Sequence, residues 1–388
     1  MVWTFYIIIA MSVQEYRVYA DGLWMIFVFT FIVFLGSTTV FLYTGTGKDA
    51  APGPLQRPID LEVFGRRVFY LICVFLFISV MGLLMQLSEI MKNGLDLMEV
   101  GSAMSQARYD ENYVPPVTTR LLYYLSYPSA LLGGLTFSLA QSRKQKILTL
   151  MPIFLATAYG AIHAMRFGII SSVFFWVSGY MALKVYQTHG RYNISKSFMH
   201  FLTAGFFLIS VFVVLQWSRS GFSDFFESTT IENSKTLVSY LTGFTTWFHT
   251  YTVPEPTYGI YTFSGIYNLL GLHERELGTF TEMVYLDTAG TGAAVQTNIY
   301  TMYRGLMQDF SLPGALVFCY MLGVLAAVAY NKCSRGYFNN VPYLAIFYIL
   351  TLASSVISIT THNSLTFGCV LAAAVWHYFA GSSPLKAG

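Results

Sequence analysis

The stretch "TNIYTMYRGLMQDFSLPGALVFCYMLGVLAAVAYN" occupies residues 297–331 and joins two kinds of chain. From Leu312 onward, twenty residues carry no charge, which is about the length a helix needs to cross a ~30 Å hydrocarbon core. Just before that run, Arg304 and Asp309 stand five residues apart. Read as a helix over 297–311, Thr297, Thr301, Arg304, Gln308 and Ser311 recur at helical spacing and form one polar face. Ile299, Leu306 and Phe310 fall on the apolar side. The expectation is a short helix near the membrane plane, with its apolar side on a bundle and Arg304 turned to lipid phosphate or to a ligand. Asp309 opposes the macrodipole of this helix but favours the start of the next, opened by Pro313. It reads as a cap or charge partner tying the two together.

The same contrast repeats along the chain. Of 388 residues, 55% are hydrophobic and 11% charged, with 33 Phe and 28 Tyr, against about 25% charged in a soluble domain. Apolar blocks lie near 2–13, 21–43, 67–87, 120–140, 147–165, 167–187, 198–217, 312–331, 342–361 and 363–380. The fold class expected is therefore an all-α polytopic integral membrane protein of about ten helices, the first one short. Residues 1–388 form a single membrane domain in this reading. Cys73, Cys319, Cys333 and Cys369 sit in or beside the blocks with no metal-ligand spacing and imply no disulfide framework.

Lys and Arg set the orientation of such a bundle. The loops 44–67, 141–146, 189–197 and 331–340, with the tail and with Lys184 at a span end, hold 13 basic and 3 acidic residues. The opposite side holds 9 basic and 16 acidic. The first side is expected to be cytoplasmic and the second external. Two external loops are long: 88–119, and 218–311 with its amphipathic helices. Long loops of this kind tend to carry function. Within the second, 234–253 reads as an amphipathic helix and 254–272 as a turn followed by a helix opened by Pro254 and Pro256.

Arg120, Arg166, Arg219 and Arg304 all fall at external span ends. Such arginines either snorkel to headgroups or converge on an anion, and the guanidinium fork matches phosphate. Arg166 shares its turn with His163, three residues away. His249, in "TWFHTY", is the first choice for a general base, with Glu282 and His273 behind it; the plainer role for His249 is a headgroup contact. Walker A, HExxH, GxSxG, CxxC and DxD patterns are all missing from the sequence. No cofactor and no bound metal are expected, so any substrate must arrive already activated.

Three pieces resemble the bacterial oligosaccharide repeat-unit polymerases, the Wzy-type O-antigen polymerases. "NIYTMYRGLMQDFSLPGALV" is similar to the family's signature ahead of a late span, "PTYGIYTFSGIYNLLGL" to its loop segment, and "GAIHAMRFGIISSV" to its short turn between two middle spans. Ser311 stands where the family often has glycine, and "HAMRF" replaces a commoner turn. The resemblance implies a metal-independent glycosyltransferase with a GT-C-like bundle at the outer face of the bacterial inner membrane. Its substrates would be undecaprenyl-diphosphate-linked oligosaccharides, which it polymerises into O-antigen or a similar surface polysaccharide. Membrane lipids and a chain-length regulator are the other implied partners, with no nucleic acid. Arg166, Arg219 and Arg304 would contact the diphosphate, His249 or Glu282 would act as base, and His163, Thr301 and Asp309 would support them.

A ligase that moves the same donor onto a lipid core, and a transporter or flippase for lipid-linked sugars, remain open. A transporter needs ionisable residues at mid-bilayer, and here the polar residues gather at one end of the spans. The orientation has a direct test. Single cysteines at Ser142 and Thr291 should respond oppositely to an impermeant thiol reagent in spheroplasts, with only position 291 labelled. Labelling at position 142 would invert the topology.

Overall fold

The computed structural model describes residue 7 and residues 17–44, 60–92, 123–162, 166–191, 239–252, 255–272, 284–286, 295–297 and 300–382. These form α1 (Ala20–Thr44), α2 (Leu61–Lys92), α3 (Ser126–Phe137), α4 (Arg143–Ile162), α5 (Arg166–Gln187), α6 (Ser239–His249), α7 (Ser264–Leu269), α8 (Met302–Ser334), α9 (Val341–Ala353) and α10 (Asn363–Ser382). A two-stranded antiparallel ribbon, β1 (Val284–Leu286) with β2 (Val295–Thr297), pairs Val284 with Thr297. The described chain is otherwise helical with short 3₁₀ turns.

Among the described residues, five helices are long and apolar enough to cross a membrane: Ala20–Thr44, Leu61–Ser88, Phe167–Gln187, Met302–Ser334 and Asn363–Ser382. Their outward surfaces are apolar as well. On α1, Trp24 is 64% exposed and Leu42 79%. A helix that is apolar on every side faces either a core or lipid, and side chains this exposed are not in a core. The protein is an all-α membrane protein. Of the remaining expected spans, 2–13 and 198–217 lie outside the described residues, residue 7 apart. The 120–140 block is realised as α3, which at 12 residues is about 18 Å long. The 342–361 block is helical only to Ala353, because "SSVISITT" from Ser354 onward is rich in β-branched and hydroxyl side chains that favour turns.

The chain divides into two compact units. The first comprises Met1–Ala50, Lys235–Asn331 and Phe347–Thr366. In it α1 runs parallel to the second part of α8, as the expected span order requires. Phe29 stacks on Tyr303 at 4.6 Å, the Ser37 hydroxyl donates to the Gly323 carbonyl at 3.1 Å, and Asn331 donates to the Thr44 hydroxyl at 2.5 Å. Glycines allow the backbones to touch. A Cβ on Gly36 would lie 2.2 Å from the Tyr320 carbonyl oxygen, and one on Gly323 2.0 Å from that of Val33. Close approach of this kind, rather than a hydrophobic driving force, holds helices together in lipid. The core of the unit gathers Ile26, Phe29, Phe244, Trp247, Tyr300, Tyr303 and Met307.

The second unit comprises Ala51–Ser234, Lys332–Ile346 and Phe367–Gly388. Its centre is α3, buried from Ser126 to Thr136, which packs on α2, α4 and α5. Gly133 and Gly134 bring α3 against backbone oxygens of Thr149 and Trp176, and the Trp176 indole donates to the same Thr149 oxygen at 2.9 Å. Phe64, Phe338 and Trp376 form an aromatic cluster, with the Trp376 indole donating to the Phe338 carbonyl at 3.2 Å.

The glycine contact makes a prediction. Gly323→Leu should lower the Tm of the detergent-solubilised protein, since overpacking a tight contact costs about 1–3 kcal/mol. Gly381→Ala, where nothing lies within 4 Å, serves as the control. An unchanged Tm for Gly323→Leu would contradict the packing.

Candidate functional site

The site is built around the first part of α8, residues 302–310, in the first unit. The helix begins at Met302, later than the sequence spacing suggests, because Thr297 is held in β2. The Met302 amide donates to the Ser354 carbonyl at 3.1 Å. The helix stops at Phe310, since Ser311 takes φ 58° and ψ 176°. This is a region that glycine enters easily and other residues at a cost. Pro313 then stands in the first turn of the following helix, where its missing N–H does no harm.

This short helix is not laid on a surface with one polar side. Residues 300–307 and Asp309 are all buried, and the expected amphipathic face is covered. Arg304 is 1% exposed. Its guanidinium carbon lies 3.8 Å from the Tyr300 ring centroid and 5.1 Å from that of Trp247 on α6. Its Nε donates to Gln308 Oε1 at 3.4 Å. The negative faces of the two rings attract the cation, which is why a charged residue can be a packing residue here. Sequence periodicity treats arginine as polar and so assigned it to an open face.

Asp309 is fully buried and its carboxylate is fully engaged. Thr257 Oγ1 donates to Oδ1 at 2.6 Å, the Tyr261 amide to Oδ1 at 3.0 Å, and the Thr262 amide to Oδ2 at 2.6 Å. The backbone is joined too: the Thr257 and Tyr258 amides donate to the carbonyls of Gln308 and Asp309 at 3.3 and 3.1 Å. The turn bends through Tyr258 (φ 54°) and Gly259 (φ 101°). Successive amides in such a turn form an anion-binding concavity, and here Asp309 fills it. The expected tie to the next span is therefore replaced by a tie to the 257–262 turn. The reason is the three donors that the turn presents.

Two further hydroxyls complete this end of the unit. Thr301 and Thr262 are 1% and 2% exposed, and neither Oγ1 has a hydrogen-bond partner among the described residues. Buried hydroxyls are normally satisfied, so such atoms mark places where water or a ligand supplies the partner. Thr262 Oγ1 lies 3.5 Å from where a Cβ on Gly305 would be. Behind the turn runs 354–363, which no sequence motif singled out. Thr360 Oγ1 donates to the Thr262 carbonyl at 2.5 Å and Ser264 to that of Thr361 at 3.2 Å, while Asn363 bonds Asn268. Gly265 permits this contact, since a Cβ there would fall 2.7 Å from the Thr360 oxygen. The missed signal was the density of Ser and Thr in a block taken for a span.

His249 closes α6, two residues beyond Trp247 and about 200° around the helix from it at 100° per residue. It does not point at Arg304. Its Nδ1 lies 2.9 Å from Asp21 Oδ2, and its ring stacks on Tyr19 with centroids 4.1 Å apart. Asp21, a lone acid at the head of α1, carried no sequence signal beyond that position.

Thus Arg304, Thr301 and Asp309 come together on one element, and His249 lies on the helix that covers it. Arg166 begins α5 in the second unit. His163, Arg219 and Glu282 lie outside the described residues, as do Arg120 and His273. Among the described residues no group of three His, Cys, Asp or Glu is arranged to hold a metal. The chain matches no protein-family model, no curated protein and no solved structure.

Two substitutions separate support from ligand contact. Asp309→Asn should lower stability by about 2–4 kcal/mol, because the amide turns a donor toward donors and charged hydrogen bonds are worth ~1.5–3 kcal/mol each. Ser311→Gly should raise the Tm, with about 1 kcal/mol gained by relieving the backbone against added unfolded-state entropy. Thermal unfolding of both variants checks this. A stable but inactive Asp309→Asn would instead make Asp309 a catalytic residue.

Proposed function

We propose that the chain is a glycosyltransferase of the bacterial inner membrane that polymerises undecaprenyl-diphosphate-linked oligosaccharide repeat units at the outer face. The observation that carries this reading is the Arg304 guanidinium, buried and fixed on the element that most resembles the polymerase signature. A polyprenyl diphosphate leaving group gathers negative charge as the glycosidic bond breaks. A preorganised cation in a water-poor site stabilises that charge far better than one in bulk water. The bundle is proposed to be GT-C-like, with residues 218–311 external.

In this mechanism the acceptor hydroxyl attacks the anomeric carbon of the growing chain, whose bond to the lipid diphosphate breaks. Arg304 receives the phosphate oxygens when the Tyr300–Trp247 clasp opens. Thr301 and Thr262 offer their hydroxyls to the phosphate or the first sugar. His249 ends α6 on the face away from Arg304, so in this reading the acceptor approaches past the end of that helix and His249, with Glu282 as the second candidate, takes its hydroxyl proton.

Arginine and lysine are not interchangeable here, since lysine keeps the charge but loses the paired donors and the flat stacking surface. Arg304→Lys and Arg304→Ala should each lower the rate of polymer formation by about 10²–10³, the scale of losing one transition-state contact. Folded protein should remain in the membrane. Product ladders from complemented knockout cells check this, and a normal ladder from Arg304→Ala would overturn the ligand role. Glycan transferred to a lipid core without polymer would convert the reading to a ligase.

A further inference from the structure

We infer that Asp21 is a positioning residue for His249, holding it as the proton acceptor for the attacking sugar hydroxyl. This rests on the glycosyl transfer proposed above.

The geometry that points to it is local and joins two distant stretches of chain. Asp21 stands in the first turn of α1, and His249 ends α6. Their side chains meet at 2.9 Å and remain 44% and 51% exposed. The backbone beneath is fixed, since a Cβ on Gly22 would lie 2.6 Å from Thr245 Cα. The Gly22 amide donates to the other Asp21 oxygen, Oδ1, at 2.9 Å, so the carboxylate is held from both sides. Tyr19 stacks on the imidazole, and Arg17 lies over the Tyr19 ring at 5.0 Å. Among the described contacts, Asp21 and Tyr19 are the titratable groups touching His249, with Arg17 one step beyond; the rest of α6 carries no charged residue.

A carboxylate only accepts hydrogen bonds, so Nδ1 must carry the proton. In the neutral ring that leaves the lone pair on Nε2, the atom a general base needs. Without Asp21 the ring can rotate and exchange tautomers. In the reaction Nε2 takes the proton from the acceptor hydroxyl as that oxygen bonds to the anomeric carbon. The bond from the anomeric carbon to the diphosphate oxygen breaks, and the lipid diphosphate leaves with the electron pair. The imidazolium then returns its proton to water. A tie that merely joined α6 to α1 would serve stability alone, and the test must separate the two.

The test uses the full-length protein in nanodiscs with a lipid-linked oligosaccharide. Asp21→Asn should lower kcat by about 10²-fold or more, the usual contribution of a positioned base, with KM changed less than about twofold and Tm unchanged. Asp21→Glu should recover part of the loss. With ¹⁵N-labelled histidine, and His249→Gln to assign the signal, neutral His249 should be the Nδ1–H tautomer in wild type and lose that preference in Asp21→Asn. Wild-type kcat in Asp21→Asn beside an inactive His249→Gln would overturn the inference. So would a lowered Tm with unchanged kcat per folded molecule. A wild-type protein that transfers no sugar would overturn the polymerase reading and the catalytic role with it, and the tautomer signal would then report the pairing alone.

Discussion

Three donors converge on the carboxylate of Asp309, and that convergence fixes one end of the first unit. Without it the 257–262 turn would present its amides to a low-dielectric interior, at a cost of about 1–3 kcal/mol for each unsatisfied group. With it, the turn, the 354–363 segment and the short helix 302–310 form one hydrogen-bonded assembly. The helix can then be buried along 302–307 and at Asp309 although it carries an arginine. The break at Ser311 follows from the same constraint, since the chain must leave the Asp309 clamp and enter the next span within a few residues.

Burial of Arg304 is the second consequence. The guanidinium has exchanged water for the faces of Tyr300 and Trp247. Cation–π attraction is worth more when desolvated, yet moving a charge out of water remains expensive. A protein that only needed to fill this space would gain by using an apolar side chain there. In the proposed function the buried cation serves the lipid diphosphate, and the two hydroxyls of Thr301 and Thr262 lie on the same helix and turn.

The architecture was legible where a single physical rule dominates. Twenty uncharged residues from Leu312 can only cross a bilayer or fill a core, and α1, α2, α5 and α10 were marked in the same way. The loop helix at 239–249 was visible from its amphipathic spacing, and the one at 264–269 from the prolines ahead of it. Other features depended on partners distant in sequence. Periodicity could not see that Trp247 would cover Arg304, because the two are brought together by α6 packing on the core. Asp309 was expected to be structural, but its partner was placed on the wrong side, since amide donors of a turn leave no trace in side-chain pattern. Asp21 looked like an ordinary residue at a span end until α1 met His249. The departure at Ser311, where the resembled family often has glycine, coincides with a positive φ.

The central claim is that the 302–310 element, with Arg304, receives a polyprenyl diphosphate. Native mass spectrometry of the purified protein with undecaprenyl diphosphate and undecaprenyl monophosphate in competition tests it most directly. The account predicts a retained diphosphate adduct that outcompetes the monophosphate and is lost in Arg304→Lys. Equal retention of both lipids, or a diphosphate adduct unaffected by Arg304→Lys, would contradict it.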